Sequence, residues 1–330
     1  MKKTCLAAVA LFLLGAGLTQ CTKSKEIGEP GNLVPQTAEL NLSMPSIEVN
    51  GTRLHTETFG NPADPIIIFL HGGPGADYRN GLNVKQLADN NYYVVFYDQR
   101  GSGLSKRHPK DSYGIQLMFD DLSWVIQHYR SSPLQKVFLF GHSWGAMLAT
   151  GYINKYPAAI NGVVLAEPGG FVWEEIKDYG EKSRRFKLFD ETTNDALYAD
   201  QFLSGNENDH AIIDYKIGLL SPFTYAKNNE EGIEGYSPFW RNGAAVNKKL
   251  FEIGKNEGFN FKNNLAQFTP KVLFLYSENN RAYGEAKARQ MSAAFTNVQI
   301  NKISSTGHEM IYFAWNKVYP LVLTYLNSLR

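Results

Sequence analysis

From Ile47 onward, short apolar runs rich in β-branched residues alternate with segments of helical periodicity, and this alternation limits the fold to very few options. Ile66–Leu70 is an unbroken Ile-Ile-Ile-Phe-Leu, the pattern of a strand buried on both faces. Tyr92–Tyr97, Lys136–Phe140, Gly162–Ala166, Val272–Tyr276 and Val298–Ile303 repeat it. Ile47–Phe59 is a further strand pattern, broken at Asn50-Gly51 by a hairpin turn signal. Helical candidates separate the runs: Gly81–Asn90, Ile115–Arg130, Ala146–Lys155, Gly284–Phe295 and Trp315–Leu329. Such a chain is expected to build an α/β domain, a mostly parallel central sheet with helices on both faces. One interruption breaks the rhythm. Residues 168–268 lack strong strand runs and are rich in charge, Asn and aromatics. So long a stretch is no plain loop, and it is expected to be an inserted, largely helical cap on a core of residues 47–167 and 269–330.

The N-terminus follows different rules. Lys2 and Lys3 precede an uncharged, mostly apolar run from Cys5 to Leu18. A bilayer span needs about 20 such residues, so this shorter run suits the h-region of a signal peptide over residues 1–20. Leu18-Thr19-Gln20-Cys21 closes it, which resembles a bacterial lipoprotein signal with Cys21 as the lipidated residue. Gln20 stands where such signals carry a small residue, and the alternative is an ordinary secreted protein with an unused Cys21. Cys5 is the other cysteine and would be lost with the signal, so no internal disulfide is expected. Residues 21–46, with Pro30, Pro35, Pro45, Gly28 and Gly31, read as a tether. The expected location is outside the cytoplasm, held to a membrane only through the N-terminal lipid. The formal charge of +1 gives no basic footprint for nucleic acid.

Four motifs carry chemistry. Gly141-His142-Ser143-Trp144-Gly145 fits G-x-S-x-G, placed after a strand and before a helix. That is the setting of a nucleophile elbow, with Ser143 as the candidate nucleophile. His71-Gly72-Gly73-Pro74-Gly75 follows the strand Ile66–Leu70. Acyl transfer needs two N–H donors aimed at the developing oxyanion, and Gly73 and Trp144 are the candidates. His71 is read as a loop-orienting residue. Asp98-Gln99-Arg100-Gly101-Ser102-Gly103-Leu104-Ser105 reads as a brace beneath the site, since no P-loop Lys-Ser/Thr follows its glycines. Ser305-Thr306-Gly307-His308 comes after the last strand, where a Ser…acid…His order puts its base. His308 is that candidate.

With HGGPG, DQRGSGLS and GHSWG in this order, the chain resembles the α/β-hydrolase superfamily from about residue 47 to 330, most of all its proline iminopeptidase branch of serine aminopeptidases. The resemblance implies a Ser–acid–His triad, no metal, no organic cofactor, and a helical cap that shapes the choice of a small peptide, ester or amide substrate. The elbow's Ser in place of Asp disfavours the alkyl-enzyme route of epoxide hydrolases. One departure stands out. The superfamily's acid usually follows the seventh strand, and Asn280 occupies that place here. Either Glu167, at the end of the strand Gly162–Ala166, supplies the carboxylate, or Glu278 reaches in from the usual loop, or catalysis has decayed and a binding protein remains. Glu167 is the leading candidate, because a carboxylate at a buried strand end needs a partner. It could instead pair with Arg184 or Arg185. Among cap residues, the acids Glu174, Glu175, Glu181, Glu191, Glu230, Glu231 and Glu234 could hold a substrate ammonium, and Phe223, Tyr225, Tyr236, Phe239 and Trp240 could form apolar walls.

Overall fold

The computed structural model describes residues 34–183, 209–220 and 229–330. Arg184, Arg185, Glu191, Phe223 and Tyr225, the signal and Cys21 lie outside these. β1 (Ser46–Val49) and β2 (Thr52–Phe59) form an antiparallel hairpin whose turn residues Asn50 and Gly51 both have positive φ (47° and 73°). A two-residue turn of that hand matches the twist of the strands it joins. β2 pairs antiparallel with β4 (Tyr93–Tyr97). The rest of the sheet is parallel: β3 (Ile66–Leu70), β5 (Val137–His142), β6 (Gly162–Ala166), β7 (Val272–Ser277) and β8 (Val298–Ile303). Spatial order is β1-β2-β4-β3-β5-β6-β7-β8.

The apolar runs of β3 to β7 are fully buried because both sheet faces are covered, whereas β8, expected to repeat that pattern, is an edge strand buried only at Ile303. Along β3 the side chains alternate by layer: Ile66, Ile68 and Leu70 enter one apolar cluster, Ile67 and Phe69 the other. The first cluster lies under α1 (Ile115–Tyr129), α2 (Trp144–Lys155) and, later in the chain, Gly284–Ser292. The second lies under the C-terminal helix Trp315–Ser328 and the segment Arg79–Asn90. That last segment, whose periodicity suggests an α-helix from Gly81, is a 3-10 helix. A Cβ on Gly81 would fall 2.1 Å from the Phe69 ring, so the tighter winding sits directly on the sheet.

Between β6 and β7 the described residues form the helices α3 (Trp173–Ser183), α4 (Asp209–Leu220) and α5 (Ala244–Asn256) and a short 3-10 turn at Leu265–Gln267, joined by non-helical stretches such as 229–243. A buried ion cluster fastens this insertion to the core. Asp214 on α4 accepts from Arg107 Nε at 2.9 Å and Arg241 Nε at 2.7 Å, and from the Ala244 N–H at 2.8 Å. Arg107 also donates to the carbonyls of Ser102, Gly103 and Ser105. Asp214→Ala would leave two guanidinium groups buried without their counter-charge, and is expected to cost about 3–5 kcal/mol of stability. A loss below about 1 kcal/mol in urea unfolding would contradict this role for the cluster.

The segment read as tether is docked from residue 34 onward. Thr37 and Ala38 are buried, the Ala38 N–H donates to the Leu104 carbonyl at 2.7 Å, and Arg241 donates to the Pro35 carbonyl at 3.0 Å. Proline content signalled a non-repetitive backbone but not its partners, which lie far along the chain.

Candidate active site

The elbow is built by close approach. A Cβ on Gly141 would lie 2.4 Å from the Gly145 carbonyl oxygen, and one on Gly145 would lie 1.9 Å from that of Leu70. Only glycine allows so tight a strand-to-helix reversal at these two positions. Ser143 at its apex has φ 54° and ψ −119°, a strained conformation for a residue with a Cβ. Its N–H donates to the Ala166 carbonyl at 2.9 Å, while Oγ has no hydrogen-bond partner among the described residues. The side chain is half-buried and so open to a substrate.

Trp144 opens α2, so its N–H is among those that helix geometry leaves without an intrahelical acceptor. Its indole N–H donates to Gln99 Oε1 at 2.9 Å. The HGGPG loop lies against the elbow, with the Cβ position of Gly72 3.2 Å from that of Ser143. Gly73 has φ 118°, open to glycine alone, which turns the loop beside Ser143. His71 holds that loop: Nε2 accepts the Gln99 N–H at 2.9 Å and Nδ1 donates to the Gly72 carbonyl at 2.8 Å. Burial pulls its pKa down, so it stays neutral, as an orienting role requires. Asp98 is fully buried and accepts from the Tyr78 and Leu104 N–H groups and from His55, consistent with a brace.

At the end of β6, Glu167 has φ 44° and is fully buried. Its Oε2 accepts from His308 Nδ1 at 2.8 Å. Oε1 accepts from the Ser277 N–H at 2.6 Å and the Ser277 hydroxyl at 2.5 Å. Burial acts to raise the Glu167 pKa, but the bonds from His308 and Ser277 prevail and hold it below the usual carboxylate value. Glu278 is elsewhere: exposed, paired with Lys302 at 3.0 Å and accepting the Ser305 N–H at 2.9 Å. Asn280, at the usual acid position, donates its amide N–H to Glu167 Oε2 at 2.9 Å.

His308 sits 4.8 Å, ring to ring, from His142, whose Nε2 donates to the His308 carbonyl at 2.8 Å. With Nδ1–H committed to Glu167, Nε2 is the nitrogen free to accept a proton. Burial lowers the His308 pKa. The bond to Glu167 and the charges of Glu231, Glu167 and Glu309 outweigh it and hold the pKa up at about 9. The inserted segment carries the His loop: the His308 N–H donates to the Glu231 carbonyl at 2.9 Å and the Gly307 N–H to Glu234 at 3.0 Å. From α3, Tyr179 donates to Glu231 Oε1 at 2.7 Å. Sequence reasoning did not set Tyr179 or Ser277 beside the acid. Their one signal is position, in that Ser277 ends the strand next to β6.

Of the other acids, Glu174 and Glu181 are exposed, Glu230 pairs with Arg281, and Glu175 pairs with Lys262. Trp240 packs edge-on against His55 and Tyr78, and Phe239 meets the exposed Tyr236 at a tilt of 49°. Among the described residues no group of three or more His, Cys, Asp and Glu could hold a metal ion. No helix among them is long and apolar enough to cross a membrane.

A mainly parallel eight-stranded sheet with an elbow serine after β5 and a histidine after β8 defines the class: by fold, the chain is an α/β-hydrolase. Within that superfamily it resembles the proline iminopeptidase branch. The family model for serine aminopeptidases (S33) matches residues 61–208. A proline iminopeptidase of Heyndrickxia coagulans is 33% identical over 134 residues, 39% of this chain and 45% of that protein. Epoxide hydrolase 3 of Mus musculus is 30% identical over 224 residues, 66% of this chain and 55% of that protein. The chain thus spans about half the length of these curated relatives. The solved proline iminopeptidase of Mycobacterium smegmatis superposes with a TM-score of 0.59 at 16% identity, covering 86% of this chain and 97% of that one. An enol-lactonase from Burkholderia xenovorans LB400 does so at 0.60 and 16%, covering 86% and 100%. At such identities the likeness is one of fold.

Proposed function

We propose that the protein is a serine hydrolase working through an acyl-enzyme, with aminopeptidase activity of the proline iminopeptidase type on small peptides. The 2.8 Å bond between Glu167 and His308 carries this reading, because it supplies a buried carboxylate where the usual acid position holds Asn280. His308 Nε2 takes the Ser143 hydroxyl proton as Oγ attacks the scissile carbonyl. The oxyanion that forms is held by the N–H groups of Trp144 and Gly73. Collapse expels the amine, which leaves with the proton from His308. Water, deprotonated by His308, then attacks the ester, and Ser143 leaves with that proton. Glu167 fixes the tautomer and offsets the imidazolium charge in both halves. Neither metal nor organic cofactor enters these steps.

The aminopeptidase reading draws support from the family match and from the acidic setting, since the carboxylates of Glu231 and Glu309 act on His308 from nearby. A negative field favours a substrate with a free ammonium next to the scissile bond. In this reading the described part of the insertion between β6 and β7 is the cap that shapes substrate choice. Export, with Cys21 lipidated, belongs to the same proposal. Hydrolysis of a proline p-nitroanilide with little turnover of p-nitrophenyl acetate supports the aminopeptidase. The reverse pattern makes it a carboxylesterase or amidase of the same fold, and turnover of neither makes it a binding protein.

The base must be neutral to act. With the His308 pKa raised, the active fraction grows as pH rises, so kcat/KM should climb through an ionisation well above the ordinary histidine value of about 6.5. Glu231→Gln should move that midpoint down. A wild-type midpoint at or below about 6.5 would contradict the electrostatic picture.

A further inference from the structure

We propose that Asn280 is a positioning residue for the catalytic acid, a neutral donor that holds Glu167 on His308 from the place the superfamily usually gives to the acid itself. This rests on the serine hydrolase reading above. The amide orientation follows from its two ends. Oδ1 accepts the Tyr283 N–H at 3.2 Å, and Nδ2 points to Glu167 Oε2 at 2.9 Å and to the Tyr179 hydroxyl at 3.2 Å. The flipped amide would set an oxygen against a carboxylate and a nitrogen against an N–H, so only one orientation satisfies both neighbours. Asn280 and Glu167 are both fully buried, where an unmade bond is costly.

Glu167 is the first residue after β6, and its φ of 44° is already strained. Its Oε1 is spoken for by Ser277, so Oε2 must serve His308 with whatever remains to aim it. Asn280 is the second donor on that oxygen. An aspartate at 280 would instead put two carboxylates within hydrogen-bond distance, and they could ionise only in sequence. The amide therefore permits an acid at 167. Tyr179 extends the hold: it accepts from Asn280 and donates to Glu231, linking the acid to the inserted segment.

The test uses the rate of Ser143 labelling by a fluorophosphonate, which needs no knowledge of the substrate, together with titration of the His308 ring by NMR. Asn280→Ala should slow labelling about tenfold or more, the size of a lost hydrogen bond to a charged group. It should also shift the His308 titration. Asn280→Asp, nearly isosteric, should add a second ionisation to the pH profile of labelling. In Asn280→Asp combined with Glu167→Gln, carboxylate and amide exchange places, and labelling should recover at least about tenfold over Glu167→Gln alone. Wild-type labelling rates and an unmoved His308 titration in both Asn280 variants, with no recovery in the double variant, would overturn the proposal. Absence of labelling in the wild type would defeat the serine hydrolase reading instead, while the His308 titration would still decide whether Asn280 acts on the pair.

Discussion

Ser143→Ala is expected to abolish fluorophosphonate labelling and to lower kcat by about 10⁶, the loss seen when the nucleophile of a serine hydrolase is removed. The effect is so large because the other parts act only on chemistry that the serine begins. Trp144 and Gly73 would face no tetrahedral oxyanion, and His308 would have no hydroxyl proton to take. Global stability should change little or even rise, because alanine at 143 keeps the same φ of 54° without a polar group to place. Labelling that persists in Ser143→Ala would mean another nucleophile, and turnover that persists undiminished would remove the acyl-enzyme mechanism.

The second large effect belongs to Glu167. Glu167→Gln keeps shape but removes the charge and presents either an amide N–H or an amide oxygen to His308 Nδ1. Loss of the acid's charge in a serine triad costs about 10⁴ in kcat. Here the amide must also satisfy Ser277 and Asn280, both of which donate to position 167. The substituted amide has one acceptor oxygen for four donors, so the wrong tautomer of His308 is strongly favoured. Glu278→Gln is the contrast. Its carboxylate is exposed and engaged with Lys302 and the Ser305 N–H, so activity should stay within about twofold, as for a surface ion pair. Equal losses in the two variants would refute the assignment of the acid.

The parts of this molecule that could be read from sequence are those set by local pattern. Ile66–Leu70 announces a doubly covered strand because every position is apolar, and Asn50-Gly51 announces its hairpin by turn chemistry. Glu167 was legible for a thermodynamic reason: a charge at the end of a buried strand requires a partner, and His308 is the group beside it. What was not legible depends on distant pairing. Asp214 meets Arg107 from 107 residues away, Tyr179 meets Asn280 from 101, and neither pairing leaves a trace in periodicity. The same holds for Thr37 and Ala38, whose burial is imposed by residues of the core loop after β4. The 3-10 winding of Arg79–Asn90 is likewise a response to the sheet surface beneath it.

The support of His308 by residues 231–234 bears on how this architecture could be recombined. A Cβ on Gly307 would fall 2.0 Å from the Gly232 carbonyl, so the two backbones fit together with no side chain between them. The insertion is thus no interchangeable module laid over a finished catalyst. A graft that replaced it wholesale with the equivalent from a relative would carry off the backbone that holds His308 in place. Chimeras that retain residues 229–234 and exchange only the helices on either side respect that seam.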